Sequence, residues 1–116
     1  MTDALPTGRT VRGRCFFVGN AAAAGVLAAT GLSFGFELAA APTPHFIPAG
    51  AAPPAQCPGT AVAPDAAPGH LCVFSEIESN TSPALTSVTA YGFDARGTSA
   101  AAGEFGSRGQ WAVTAP

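Results

Sequence analysis

The stretch Cys15–Leu38, CFFVGNAAAAGVLAATGLSFGFEL, decides what kind of protein this is. It is uncharged from Cys15 to Phe36, follows Arg9, Arg12 and Arg14, and leads into Ala39-Ala40-Ala41. It therefore imitates the basic, apolar and small-residue regions of a secretory signal. It is also long enough to be weighed as a membrane span, which takes about 20 apolar residues. Gly19, Asn20, Gly25 and Gly31 argue against both readings, and so does the second half of the stretch. There Leu32, Phe34, Phe36 and Leu38 alternate with Ser33, Gly35 and Glu37, a two-residue period that predicts a half-buried strand over Thr30–Leu38 and no membrane span. Any export would then depend on a segment outside this sequence or on another route.

Working outward, Thr10–Val18 sets Val11, Gly13, Cys15 and Phe17 against Arg12, Arg14 and Phe16, which predicts a first strand with its arginines in water. Gly19–Gly31 reads as a loop, with a short helix as the competitor because alanine favours helix while the glycines oppose it. Pro42–Pro68 contains eight of the 11 prolines. Proline lacks the N–H that a strand ladder needs, so only His45–Ile47 is expected to pair there, as a short edge strand, and the rest to run as a surface loop. His70–Ile77 alternates Leu71, Val73 and Ser75 with Cys72, Phe74 and Glu76 and predicts a strand. Ser79–Pro83 reads as a turn, and Thr86–Phe93 and Gln110–Thr114 as further strands. A weak internal echo links Gly19–Gly25 (GNAAAAG) to Gly97–Gly103 (GTSAAAG), consistent with two hairpin-like units that pair, or with alanine-rich coincidence.

Short strands between Gly/Pro turns predict an all-β fold, a single small antiparallel β-sandwich or jelly-roll-like variant spanning residues 1–116, with residues 42–68 as its long Pro-rich loop. The length suits one core, and hydrophobic residues at 47% can fill it. All five basic residues are arginines, against seven acidic ones. Arg9, Arg12 and Arg14 form the only basic cluster and no aromatics are interleaved downstream, so nucleic acid is not an expected partner. With only 10% charged residues, little opposes association, and a homo-oligomer is expected.

Few residues offer chemistry. Cys57 and Cys72 flank a Pro/Gly loop, and a disulfide between them would suit a small extracellular domain. The competing reading gathers His45, Cys57, His70 and Cys72 as a Cys₂His₂ zinc set, although no Cys-x₂-Cys knuckle is present. No metal or cofactor is expected. Cys15 is the odd thiol, either buried and inert, reactive, or paired with another chain. Glu76 and Glu78 would share a strand face, as the carboxylates of a small hydrolase working with His70 must, but two solvated glutamates explain them equally. No nucleophile–base–acid set stands out and phosphate-binding motifs are absent, so the chain is not expected to be an enzyme. Trp111 and Tyr91 are the residues a carbohydrate- or peptide-binding module would use as an aromatic platform, against the reading that Trp111 is core. Asn80-Thr81-Ser82 matches the N-glycosylation sequon.

The segments SFGFELAAAPTPHFIPAGAAPPAQCPGT (33–60) and AAPGHLCVF (66–74), with LPTGRTVRG (5–13) and the closing GQWAVTAP (109–116), resemble an uncharacterised domain of high-GC Gram-positive bacteria. That domain is often found at the C-terminal end of exported proteins, some with collagen-like Gly-X-Y repeats upstream. The resemblance implies a globular head at the cell surface or in the medium, structural or adhesive, with Cys57 and Cys72 as its recurring pair. It implies a trimer where such a stalk is present, and no assigned activity. Cys15 departs from its pattern.

Overall fold

The structure, a computed structural model, describes residues 4–116. Seven strands form two sheets: β1 (Thr10–Ala21), β2 (Leu27–Ser33), β3 (Thr43–Ile47), β4 (His70–Ser79), β5 (Ala84–Thr86), β6 (Gly92–Thr98) and β7 (Gly103–Thr114). The four-stranded sheet has the order β1-β7-β4-β3 and the three-stranded sheet β2-β6-β5. Their facing surfaces bury Cys15 and Phe17 from β1, Leu71 and Val73 from β4, Phe93 and Ala95 from β6, and Trp111 and Val113 from β7. The fold is the expected all-β sandwich.

The first and last strands make the longest ladder, antiparallel from Thr10↔Thr114 to Ala21↔Gly103 without a break in register. Two glycines of β1 explain how it accommodates large aromatic partners. Gly13 lies opposite Trp111 and Gly19 opposite Phe105. A Cβ on Gly13 would stand 2.6 Å from the Trp111 ring, and one on Gly19 would stand 2.7 Å from Phe105. The rings lie flat over bare backbone, so glycine's missing side chain is filled by a neighbour. Trp111 then closes a cluster with Phe34 (ring centroids 5.6 Å apart) and Phe93 (5.9 Å, edge to face).

β7 begins at Gly103 instead of the expected Gln110, because its whole length pairs with β1, and β3 begins at Thr43 instead of His45. Three further elements are corrected. Gly19–Gly31 is not one loop, because β1 continues to Ala21 and β2 begins at Leu27. Tertiary pairing with β7 and β6 overrides the propensity of the alanines. The strand expected over Thr30–Leu38 ends at Ser33. Gly35 takes a φ of 80°, and Phe34 and Leu38 donate their N–H groups to Tyr91 and Ala90. Phe34 and Leu38 therefore reach the core from a turn, while Phe36 is left exposed. Thr86–Phe93 is likewise broken: Ser87 has a φ of 51° and Thr89 closes a turn onto Gly92, which separates β5 from β6. The internal echo has a spatial counterpart, since Gly25 N–H donates to Ser99 O and the Ser99 hydroxyl donates to Ala23 O, so the two alanine-rich turns sit side by side.

The proline-rich segment sets apart the two ends of the four-stranded sheet. β3 is an edge strand carrying Pro44, and it runs parallel to β4 rather than antiparallel. A parallel pair requires a long crossover, which the chain between Ile47 and His70 supplies. That crossover lies over the outer face of the sheet, where Ile47, Cys57, Ala66, Cys72, Phe74 and Ala112 form a second buried cluster. The Cys57–Cys72 disulfide, with Cα atoms 5.7 Å apart, pins it. Thr114 Oγ1 donates to Ala66 O and Arg12 Nε to Pro64 O, which tie it to β7 and β1.

Candidate functional site: the open half of the four-stranded sheet

Alternation along β1 sends Cys15 and Phe17 inward, so Arg12, Arg14, Phe16 and Val18 face outward. Toward the start of β1 the proline-rich crossover covers the outer face. Past Arg14 nothing among the described residues covers it, and Phe16 is 60% exposed, Val18 55% and Ile77 50%. Register places these side chains in rows, because Phe16 lies opposite Arg108 and Arg108 opposite Ile77, while Val18 lies opposite Gly106. They border a shallow groove of about 340 Å³, which Glu104 and Ser79 also line. One strand face thus carries a buried apolar cluster at one end and a bare apolar patch at the other.

Arg108 stands within this patch, between Phe16 and Ile77, with no ion-pair partner among the described residues, whereas the two arginines of β1 beside it are balanced within the chain. Arg12 Nη2 lies 3.5 Å from Asp65 and Arg14 Nη2 3.9 Å from Glu76. Both pairs are solvent-exposed and contribute little to stability, but they leave the β1 side without free positive charge at those two positions. The alternation of β1 puts Phe16 on the water side with the arginines, but Ile77 joins the patch only through strand order, which no local pattern reveals.

The residues singled out for chemistry fall apart in space. Glu76 hydrogen-bonds Gln110 at 3.1 Å beside Arg14, whereas Glu78 accepts from the Ser75 hydroxyl and, at 3.1 Å, from Ala49 N–H. A register shift between Ser75 and Ile77 disturbs the two-residue period that would have kept the carboxylates on one face. His70 opens the same strand, about 20 Å from Glu76 at the usual strand rise. Its Nδ1 is instead 2.8 Å from His45 Nε2, so the two imidazoles share a hydrogen bond. With Cys57 and Cys72 joined to each other, the four-residue zinc set is reduced to this histidine pair, and no group of three metal-ligating side chains occurs among the described residues.

Trp111 is 4% exposed and its indole Nε1 donates to Arg14 O, so its ring belongs to the core and not to an aromatic platform. Tyr91 is exposed beside the β5–β6 turn, where hydrogen bonding to Glu37 and that carboxylate's charge hold the phenol above its usual range. Cys15 is buried, and desolvation pushes its thiol up to about 11. That is the buried, inert form of the odd cysteine. Asn80 has a φ of 55° and its amide Nδ2 donates to Ala101 O at 2.9 Å while Oδ1 accepts from Ala101 N–H. The sequon asparagine is thus a structural lock on the β4–β5 turn.

The fold and this face define a small disulfide-pinned β-sandwich with an open apolar half-sheet, in which no helix among the described residues is long and apolar enough to cross a membrane. No family model, curated protein or solved structure matches the chain.

Proposed function

We propose that this domain is a structural or adhesive, non-catalytic head of an exported protein and that it works by associating with copies of itself. The observation that carries the reading is the division of the outer sheet face, one half sealed by the disulfide-pinned crossover and the other exposing Phe16, Val18 and Ile77. Covering half of a sheet with 22 residues of proline-rich chain while leaving large apolar groups bare beside it suits a face kept for contact. The disulfide weakly favours an oxidising compartment outside the cytosol. The resemblance of the sequence to C-terminal heads of exported proteins points the same way.

The test is to tag the chain in a cell that makes it and locate the tag. Recovery from the medium, or removal by protease added to intact cells, with Cys57 and Cys72 oxidised, is the expected result. Intracellular protein with both thiols reduced would overturn the reading. The binding-module alternative has lost Trp111 to the core, and Tyr91 is the residue it would have to use.

A further inference from the structure

We propose that the free edge of β1 is a homodimer interface, pairing antiparallel with β1 of a second copy so that Phe16 faces Phe16 of the other copy across a two-fold axis. This rests on the self-association reading and gives it a partner surface and a symmetry. Four strands from each copy would then join into one continuous sheet.

Backbone parity identifies what the edge offers. Arg9 O accepts from Ala115 N–H, one step before the Thr10↔Thr114 pair, so the odd-numbered residues of β1 direct their polar groups to β7. Arg12, Arg14, Phe16, Val18 and Asn20 therefore direct theirs away from the sheet. Among the described residues, the one hydrogen bond to these backbone groups is that of the Trp111 indole to Arg14 O, and a carbonyl has a second lone pair for a partner, while β2 packs below this edge without pairing to it. Each of the five residues has one N–H to donate, giving about ten hydrogen bonds across two copies, the usual complement of a specific interface.

Edge strands are normally blunted by proline, lysine, a bulge or brevity. β1 is long, contains no proline and keeps an unbroken register with β7, and the two charges it carries, Arg12 and Arg14, are each paired with an acid of the same chain. The other edge of the sheet, β3, has five residues and a proline. Charge permits a second copy and rules out one register, while the number of outward-directed residues paired favours another. Arg12 and Arg14 are matched by Asp65 and Glu76 of their own chain, so a like edge is not repelled. Centring the two-fold on Phe16 sets Arg14 opposite Val18 and Arg12 opposite Asn20 of the other copy. Centring it on Arg14 would oppose two arginines directly, which destabilises a strand pair. The Phe16 register also carries Phe16 and Val18 of both copies onto one face, extending the open half-sheet into a joint patch.

The experiment uses the intact, oxidised chain. Light scattering should give twice the 11.4 kDa chain mass. Phe16→Lys should give a folded monomer with a native circular dichroism spectrum, because Phe16 contributes little to its own core, and its urea midpoint should no longer depend on concentration as the dimer's does. In a Cys15→Ala background, Phe16→Cys should form an intermolecular disulfide under mild oxidation and Val18→Cys should not, since in this register the two Val18 positions lie four residues apart along the strands. A trimer, or an oligomer indifferent to Phe16→Lys, overturns the edge proposal and leaves self-association standing. Cross-linking through Val18→Cys but not Phe16→Cys overturns the register. A monomer at every concentration overturns the edge proposal and self-association together.

Discussion

The Trp111 indole lies over Gly13 and donates a 3.1 Å hydrogen bond to Arg14 O, so one residue of β7 reaches across the edge strand to its far side. This fixes the position of β1 on the sheet more firmly than ladder hydrogen bonds alone, because a slip of one residue would bring a side chain under the ring. Gly13→Val should destabilise the domain by about 1–3 kcal/mol through overpacking. Trp111→Phe should cost less than Trp111→Ala, whose loss is about 3–5 kcal/mol. Urea unfolding followed by circular dichroism measures all three.

Removing the Cys57–Cys72 bridge should cost about 3 kcal/mol, the chain-entropy value for a loop of this length. The loss should appear both in the double Cys→Ala variant and on reduction of the native chain. Limited proteolysis should then cut first between Ile47 and His70, where the crossover is freed from the sheet. Unchanged proteolysis after reduction would show that the apolar cluster holds the crossover without the bridge.

Cys15 should resist alkylation in the folded chain and react at once in denaturant. It is 6% exposed and its thiol is raised to about 11, so almost no thiolate is available near neutral pH. Mass spectrometry after a timed pulse of iodoacetamide, with and without urea, reads the difference. Fast native labelling would place the thiol at an accessible position.

The His45–His70 pair predicts an acid-sensitive contribution to stability. Partial burial and the neighbouring imidazole hold His45 below its usual 6.5, so the folded state prefers it neutral. A base with a lowered folded pKa binds more protons when unfolded, so its contribution is intact above about 6.5 and fades as pH falls through the lowered folded value. Urea midpoints between pH 7.5 and 4.5 should therefore decline less in His45→Gln than in the native chain.

Asn80 should carry no glycan when the chain passes through a glycosylating secretory pathway, despite its sequon. Its Nδ2, the atom a sugar would take, is bonded to Ala101 O. Asn80→Ala should lower stability by about 1–2 kcal/mol, from the lost side-chain bonds and the positive φ of 55°. A glycosylated, folded product would disprove this arrangement.

What was legible in the sequence followed periodicity that one strand carries by itself. Val11 to Phe17 alternates because β1 has one core face, and His45–Ile47 falls inside β3, which starts earlier at Thr43 because an edge strand tolerates Pro44. The failures arose where distant segments decided the outcome. Leu32, Phe34 and Leu38 all pack on the core, yet Phe34 and Leu38 are placed by backbone bonds to Tyr91 and Ala90, not by a strand period. The first half of β4 is buried on both faces because the crossover covers its outer side, so Cys72 and Phe74 are as hidden as Leu71 and Val73. The candidate site was half legible: Phe16 could be read as outward, but its neighbour Ile77 becomes one only through the β1-β7-β4 order.

The pairing of β1 with β7 also sets a timetable for folding. β7, an inner strand of the larger sheet, is the last of the seven, and both β1 and β4 must wait for it. Contacts this distant in sequence form slowly and cannot be anticipated by a partial chain. The larger sheet stays open until the residues of β7 are made and then closes around them. Loss of those few residues would leave β1 and β4 with no common neighbour to join them.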